Sequence, residues 1–366
     1  MTALSVRAAV FRGPQRPLAI ETLLLDPPAT GEVLVRMVAS GVCHSDLHVV
    51  DGEWSRPADL VLGHEGAGVI EALGPDVVGL AVGDLVVLAW TAPCAGCPAC
   101  QRNEPWLCSD SRGSGHRLSP TEARLKRADG SPVGVYSGIG TFAERQVVAA
   151  EAAVRVNPRT PPEIAALVGC AVTTGVGAVL NTAAVQAGES VVVIGAGGVG
   201  LSSIMAAVMA GAQPVVAIDA VPAKMTLARV AGATHAATPG EARALVAGLT
   251  EGGADHVIEA IGLSETVELA IDLTRPGGRT MLVGMTPQGH RAFFDVYRFV
   301  EEGRRLLGSN YGSAVPSRDF PRICDLYLDG SLPLDLLVTE RIGLDGLESA
   351  FDAMRRRDGA RRVVIF

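Results

Sequence analysis

Seven cysteines stand in this 366-residue chain. Four are crowded together as Cys94-Ala-Gly-Cys97-Pro-Ala-Cys100, with Cys108 eight residues further on. Four thiolates at such spacing can surround one tetrahedral zinc and leave no coordination position open; Gly96 and Pro98 let the loop fold back on itself. An ion held this way would be structural and would rigidify a lobe with little core of its own. An iron–sulfur cluster or idle surface thiols are the other readings, although exposed thiols are an oxidation liability.

A second set is dispersed: Gly41-Val-Cys43-His44-Ser45-Asp46-Leu47-His48, then Gly63-His64-Glu65, then Gly169-Cys170. Cys43, His64 and Cys170 would supply two thiolates and one imidazole, a three-ligand zinc site whose fourth place stays open for water or substrate. Two thiolates cancel the charge of the ion. From spacing alone, a core histidine with two buried cysteines explains the same residues equally well.

The third feature is Val191-Val-Val-Ile194-Gly195-Ala-Gly197-Gly198-Val199-Gly200, a glycine loop between an apolar strand and the helical stretch 201–210. Gly195 suits the tight turn, Gly197 lets a pyrophosphate approach the backbone, and Gly200 lets helix and strand pack closely. The N–H groups of Gly198 and Val199 at the helix start are free for phosphate. Asp219, 19 residues past Gly200, would bind both ribose hydroxyls and repel a 2′-phosphate. Ala220 follows with no arginine at hand, which favours NAD over NADP. A flavin site, an S-adenosylmethionine site and a merely structural glycine turn are the alternatives.

These groups need elements to hold them. Residues 1–150 read as short β-runs (33–38, 66–73, 84–88 and 142–149) punctuated by Asp, Pro and Gly. From about Pro161 an Ala/Leu/Val-rich segment leads into alternating strand and helix patterns as far as residue 283, the signature of a parallel sheet wrapped by helices. Mixed structure returns after about residue 310. The expected fold is α/β, with a doubly wound parallel-sheet domain over 171–309 inserted in a β-rich domain formed by 1–170 and 310–366.

Composition narrows the function classes. With 48% hydrophobic residues the chain is too apolar for disorder, and a net charge of −8 argues against a nucleic-acid coat. Met1–Arg12 lacks the apolar stretch of a signal peptide. The apolar run 191–218 carries too many Gly, Ser and Pro for a spanning helix. A cytoplasmic protein acting without a membrane is expected. An odd cysteine count also argues against a disulfide framework.

In this order the three features resemble the zinc-dependent medium-chain alcohol dehydrogenase family. The resemblance covers nearly the whole chain, from Ala8-Ala-Val through Gly63-His64-Glu65-Gly66-Ala-Gly68 and Thr173-Thr174-Gly175 to the terminal strand. It implies a GroES-like catalytic domain around a Rossmann domain, two zinc ions per subunit and NAD. The implied reaction is hydride transfer from an alcohol to nicotinamide, with zinc lowering the pKa of the hydroxyl. Ser45 would accept the substrate proton and pass it through the cofactor ribose to His48. Asp46 would orient His64, and Glu65 would lie behind the zinc.

Less specific positions follow from the same resemblance. His44 and Arg362 would contact the pyrophosphate, Thr174 the nicotinamide and Lys224 the adenosine ribose. Trp90, Trp54 and Tyr136 would line a pocket for primary or aromatic alcohols. His116, His235, His256 and His290 match no motif and are expected on the surface or in loops. Leu88-Ala-Trp90 and tail segments such as Tyr311-Gly312 and Asp319-Phe-Pro321 are similar to actinobacterial members, including mycothiol-dependent formaldehyde dehydrogenases. Oxidation of a thiol–formaldehyde adduct is therefore the second reading, and a non-redox zinc- and nucleotide-binding protein is the reading from another class. A homodimer or homotetramer is implied, with 279–285 extending a sheet across a two-fold axis. The cysteines then divide as four, two and one, with Cys324 left as a small buried hydrophobe.

Overall fold

Glycine and proline chop the first 170 residues into short strands. In chain order these are β1 (Leu4–Phe11), β2 (Ala19–Leu25), β3 (Glu32–Gly41), helix α1 (His44–Val50), β4 (Leu60–Val61), β5 (Glu65–Leu73), β6 (Leu85–Leu88), the single-turn α2 (Pro98–Gln101), β7 (Leu125–Lys126), β8 (Pro132–Val135), β9 (Arg145–Ala149) and β10 (Ala153–Arg155). The computed structural model describes residues 2–109 and 124–366; His116 lies outside the described residues. Strands β1, β2, β7, β8 and β4 close a small barrel. Its interior is filled by Phe11, Leu23, Leu25, Leu62 and Phe142, each fully buried.

The chain continues through α3 (Pro162–Leu167), a π-helical turn (Val168–Val172), α4 (Thr173–Gly177) and a second π-helical turn (Ala178–Ala183). By length and composition Pro162–Ala183 could cross a membrane, but 78% of its most apolar window is buried inside the protein, as in a core helix. Then comes strict alternation: β11 (Val191–Ile194), α5 (Gly198–Met209), β12 (Val215–Ile218), α6 (Pro222–Val230), β13 (His235–Ala237), α7 (Ala242–Leu249), β14 (Ala254–Glu259), α8 (Ser264–Leu273), β15 (Thr274–Leu282), α9 (Val296–Glu301) and β16 (Arg305–Gly308). All pairings in this sheet are parallel, in the order β13-β12-β11-β14-β15-β16. That is the dinucleotide-fold order, with its switch point between β11 and β14. The tail adds α10 (Pro316–Leu328), β17 (Val338–Ile342), α11 (Leu347–Arg355) and β18 (Arg361–Ile365). Strand β18 rejoins the second β-sheet, ordered β10-β6-β5-β3-β18-β17 with β9 also on β3.

The chain divides into two units: Met1–Cys170, Val315–Asp329 and Val338–Phe366 form one, and Ala171–Ala314 with Gly330–Leu337 form the other. Residues 310–314 and 330–337 thus pack with the parallel-sheet unit, whereas the sequence reading assigns all of 310–366 to the β-rich part. The physical reason is local. The Asn181 side-chain amide donates to the Gly312 carbonyl (3.1 Å), and the Thr182 hydroxyl meets those of Ser309 and Ser313 at 2.8 and 2.9 Å. The sheet edge also differs from expectation. Strand β15 is covered by β16 (Arg279 opposite Arg305), so residues 279–282 are not an edge.

His256 departs from the expected surface position, because it lies in β14, 2% exposed, with Nε2 2.8 Å from the Glu189 carboxylate. Next to it, Asp255 accepts from the Ser190 amide (2.8 Å) and hydroxyl (2.6 Å) and pairs with Arg275 at 2.7 Å. Burial opposes ionisation of Asp255, but the Ser190 donors and then Arg275 outweigh it and hold the carboxyl at about 2. A depressed carboxyl stabilises the fold above its unfolded pKa, and that contribution is lost as pH falls through the folded value. Asp255→Asn should therefore lower the melting temperature by a few degrees at pH 7. The gap to the native chain should narrow as pH falls from 4 toward 2. A gap independent of pH would contradict the assignment.

Candidate functional site

Strand register assembles the dispersed set. In the antiparallel pair β3–β5, Gly41 lies opposite Glu65, and in β18–β3, Val363 lies opposite Gly41. Cys43 just past β3, His64 just before β5 and Arg361 at the start of β18 therefore meet at one end of the sheet. The π-helical turn at 168–172 delivers Cys170 to the same place, a common use of such turns. Donor atoms of Cys43, His64, Glu65 and Cys170 all lie within 4.8 Å of one another.

Asp46 organises this cluster from the first turn of α1. Its carboxylate accepts from the backbone amides of Cys43 (3.3 Å) and Gly63 (3.0 Å) and sits 3.2 Å from His64 Nδ1. That contact leaves His64 Nε2 facing the two sulfurs, buried and, among the described residues, without a hydrogen-bond partner. An orphaned buried nitrogen beside two thiols is the donor set a zinc ion completes. Electrostatics point the same way. The Cys170 hydrogen bond holds Cys43 well below the ordinary thiol range despite burial, while that same bond and burial push Cys170 well above it. Burial alone would lower His64, yet the negative charges of Asp46, Cys43 and Cys170 raise it. A divalent cation lets both sulfurs ionise and the imidazole stay neutral.

Glu65 is fully buried, and burial pushes its carboxyl up to about 8 against the pull of Arg361. Arg361 reaches it at 3.5 Å and donates to the Val42 carbonyl at 3.1 Å. The expected phosphate arginine, Arg362, points elsewhere: it pairs with Glu340 at 2.9 Å and Asp358 at 3.2 Å. Neighbouring residues on a strand face opposite ways, so the Arg361-Arg362 doublet hides which one turns inward.

Around the cluster, α1 sets Ser45 and His48 one turn apart on the same helix face, both partly exposed. His48 Nδ1 is hydrogen-bonded to the Glu53 carboxylate, and its ring stacks on Trp54 at 4.6 Å. His44 opens α1, exposed, 6.2 Å from the His48 ring. Trp54 itself is buried in the barrel-side core. Tyr136 stands edge-on to His64 at 5.6 Å, and Trp90 is half-buried against the core of the second sheet. Sequence reasoning missed Glu53, Arg361 and Arg56, whose guanidinium carbon lies 5.9 Å from the centre of the Tyr136 ring.

The four-cysteine loop closes separately. The Cys97 and Cys108 sulfurs are 3.8 Å apart, and the amides of Cys94 and Cys97 donate to the sulfurs of Cys108 and Cys94 at 3.4 and 3.3 Å. Tetrahedral thiolates about 2.3 Å from a zinc are themselves about 3.8 Å apart. All four sulfurs lie within 4.8 Å of one another, and none of the four cysteines is in a disulfide. The Cys100 amide holds Cys97 at about 5, and burial lifts Cys100 to about 12. This charge pattern again accommodates a cation.

In the parallel-sheet unit, Gly195 turns the chain with φ +97°, and a Cβ on Gly200 would lie 1.7 Å from the Gly195 carbonyl. Among the described residues, no atom beyond its chain neighbours lies within 4 Å of a Cβ built on Gly197, which leaves the space a pyrophosphate needs beside the start of α5. Val199, in the first turn of α5, is half-buried. Asp219 follows β12, and its two oxygens accept from the amides of Ala196 (2.8 Å) and Val221 (2.9 Å), which fixes the carboxylate against the glycine loop. Lys224 sits in the first turn of α6. Thr174 lies on α4, whose Gly175 carbonyl accepts from Ser203 of α5 at 3.1 Å.

Two family descriptions match: residues 29–158 fit the alcohol dehydrogenase GroES-like domain, and residues 198–329 fit zinc-binding dehydrogenase. The chain is 35% identical to a class-3 alcohol dehydrogenase of Cereibacter sphaeroides, across 99% of this chain and all of the other. The chain belongs to the zinc-dependent medium-chain alcohol dehydrogenases. Identity to an S-(hydroxymethyl)glutathione dehydrogenase of Haemophilus influenzae is 34%, across 99% of this chain and 98% of that one. Benzyl alcohol dehydrogenase of Acinetobacter calcoaceticus superposes with a TM-score of 0.92 at 32% identity, covering 99% of both chains. A zinc-binding alcohol dehydrogenase-domain protein of Burkholderia ambifaria gives 0.95 at 34%, covering 100% of this chain and 99% of that one. The family makes this chain an oxidoreductase that uses zinc and carries a dinucleotide-binding Rossmann fold.

Proposed function

We propose that the chain is an NAD-dependent dehydrogenase of primary, including aromatic, alcohols. The observation that carries this reading is the cluster of buried Cys43 and His64 with half-buried Cys170, and its orphaned imidazole nitrogen. When bound there, zinc supplies a Lewis acid that lowers the pKa of an alcohol hydroxyl, and NAD supplies the hydride acceptor. Cys43, His64 and Cys170 hold the ion, Asp46 keeps His64 Nε2 aimed at it, and Glu65 backs it against Arg361. The zinc of Cys94, Cys97, Cys100 and Cys108 is structural.

Ser45 Oγ takes the proton of the substrate hydroxyl. His48 receives it at Nε2, since Glu53 occupies Nδ1, and releases it to solvent. Asp219 and Lys224 bind the adenosine ribose, and the amides of Gly198 and Val199 bind the pyrophosphate over Gly195, Gly197 and Gly200. His44 and Arg361, in place of Arg362, supply cations to the phosphates, and Thr174 backs the nicotinamide. Trp90 and Tyr136 give the pocket aromatic walls.

A thiol–formaldehyde adduct is the second substrate class, supported by the likeness to S-(hydroxymethyl)glutathione dehydrogenases. One experiment separates them: reduced-nicotinamide absorbance with benzyl alcohol, aliphatic alcohols and formaldehyde, the last with and without glutathione or mycothiol. Turnover of benzyl alcohol without any thiol is expected. Activity confined to formaldehyde plus a thiol would replace this reading with the second.

A further inference from the structure

We infer that Arg56 is a specificity-determining residue, selecting alcohols that carry a carboxylate at the end away from the reacting carbon. The inference deepens the dehydrogenase reading and rests on it for the reaction, but not for the anion site.

Three observations converge on this arginine. Its guanidinium carbon lies 5.9 Å from the centre of the Tyr136 ring, and that ring stands edge-on to His64 at 5.6 Å. These two steps bound the distance from the cation to the metal-ligand cluster, so one small substrate can reach both. Second, among the described residues Arg56 Nε is buried with no hydrogen-bond partner, and the side chain's one hydrogen bond runs from Nη1 to the neighbouring Ser55 carbonyl at 2.8 Å. Third, no carboxylate among the described residues forms an ion pair with it. Arg124, Arg127 and Arg145 are buried to a similar degree, and each pairs with a glutamate within 3.1 Å. Glu53 and Asp59, each three residues away in sequence, are engaged by His48 and by Arg12 and Arg127.

A half-buried guanidinium whose Nε is unsatisfied is a standing cost, which an incoming carboxylate relieves through charge-assisted, bidentate hydrogen bonds. The Tyr136 ring lies beside the guanidinium and would supply an apolar wall for the body of the substrate. The oxidation itself keeps its balance. The carbinol C–H bond gives its electron pair and hydrogen to nicotinamide, the O–H proton leaves, a C=O forms, and the carboxylate is unchanged.

The test compares benzyl alcohol with 4-(hydroxymethyl)benzoate in the zinc-loaded protein and in Arg56→Gln and Arg56→Lys. The native chain should favour the carboxylate in kcat/KM by about tenfold or more. Arg56→Gln should lose about 10- to 100-fold on 4-(hydroxymethyl)benzoate and less than about threefold on benzyl alcohol. Arg56→Lys, which keeps the charge but not the fork, should fall between. Formaldehyde with glutathione is run beside them. Loss of that activity alone in Arg56→Gln would place the selected carboxylate on the thiol adduct rather than on a free hydroxy acid.

Calorimetric binding of 4-formylbenzoate against benzaldehyde needs no turnover. Weaker binding of the carboxylate alone in Arg56→Gln would support the anion site even if no alcohol were oxidised, in which case the dehydrogenase reading would fall by itself. Equal handling of charged and neutral ligands by the native chain, or equal losses in Arg56→Gln, would overturn the assignment.

Discussion

Replacing Cys43 with alanine is expected to reduce turnover by roughly 10³-fold or more, since even changes one layer behind a metal ligand cost about 10- to 100-fold. Zinc content should fall from two ions per chain to one, because only one of the two donor clusters is broken. The melting temperature should change little by comparison. Cys43 follows β3 at the end of a sheet already packed by Val33, Val35 and Met37, so the fold does not depend on the ion there. Cys97→Ala is the opposite case. Among the described residues its loop has only the small cluster of Cys97, Ala99 and Cys108 as a core, so loss of that zinc should lower thermal stability before it touches the chemistry. Metal analysis, melting curves and turnover on both variants check this pair. Retained activity in Cys43→Ala would show that the ligands are misassigned.

The second large effect concerns the cofactor. Asp219→Ser combined with Ala220→Arg should move the NAD-to-NADP ratio of kcat/KM by about 10² or more toward NADP. Hydrogen bonds to charged groups contribute about 1.5–3 kcal/mol. The double change removes one set from the ribose hydroxyls and offers a new one to a 2′-phosphate, and each 1.4 kcal/mol is tenfold. Position 220 is exposed, so the arginine has room. Asp219 also holds the amides of Ala196 and Val221, so affinity for both cofactors should weaken. The ratio is therefore the quantity to read. An unchanged ratio would remove Asp219 from the ribose role.

What was legible in the sequence depended on distance along the chain. The four-cysteine loop brings its ligands together within fifteen residues, so spacing alone pointed to its geometry. The glycine loop was equally local, and its three glycines each meet a different steric demand in the fold. The open cluster was not legible by spacing. His64 and Cys170 lie 21 and 127 residues beyond Cys43, and only the register of β3 with β5 and a π-helical turn unite them. Resemblance supplied that link before the structure did.

Resemblance also reached its limit at single residues. It chose Arg362 where the strand turns Arg361 toward Glu65, a one-residue slip that reverses the face. Glu53 and Arg56 belong to no motif. Their contacts with His48 and Tyr136 come from the loop between α1 and β4, whose path local sequence does not encode. His256 was misplaced for a similar reason: its hydrogen-bond partner, Glu189, is 67 residues away.

On the reading proposed, one chain holds both the metal cluster and the nucleotide loop of a hydride-transfer enzyme. Transfer of an isotope from alcohol to cofactor reports on the two together. The zinc-loaded protein is mixed with α,α-dideuterobenzyl alcohol and NAD, and the reduced cofactor is weighed by mass spectrometry. Each reduced cofactor should carry one deuterium from the alcohol, and Cys43→Ala should form none. Reduced cofactor without deuterium, or the same labelled product from Cys43→Ala, would contradict it.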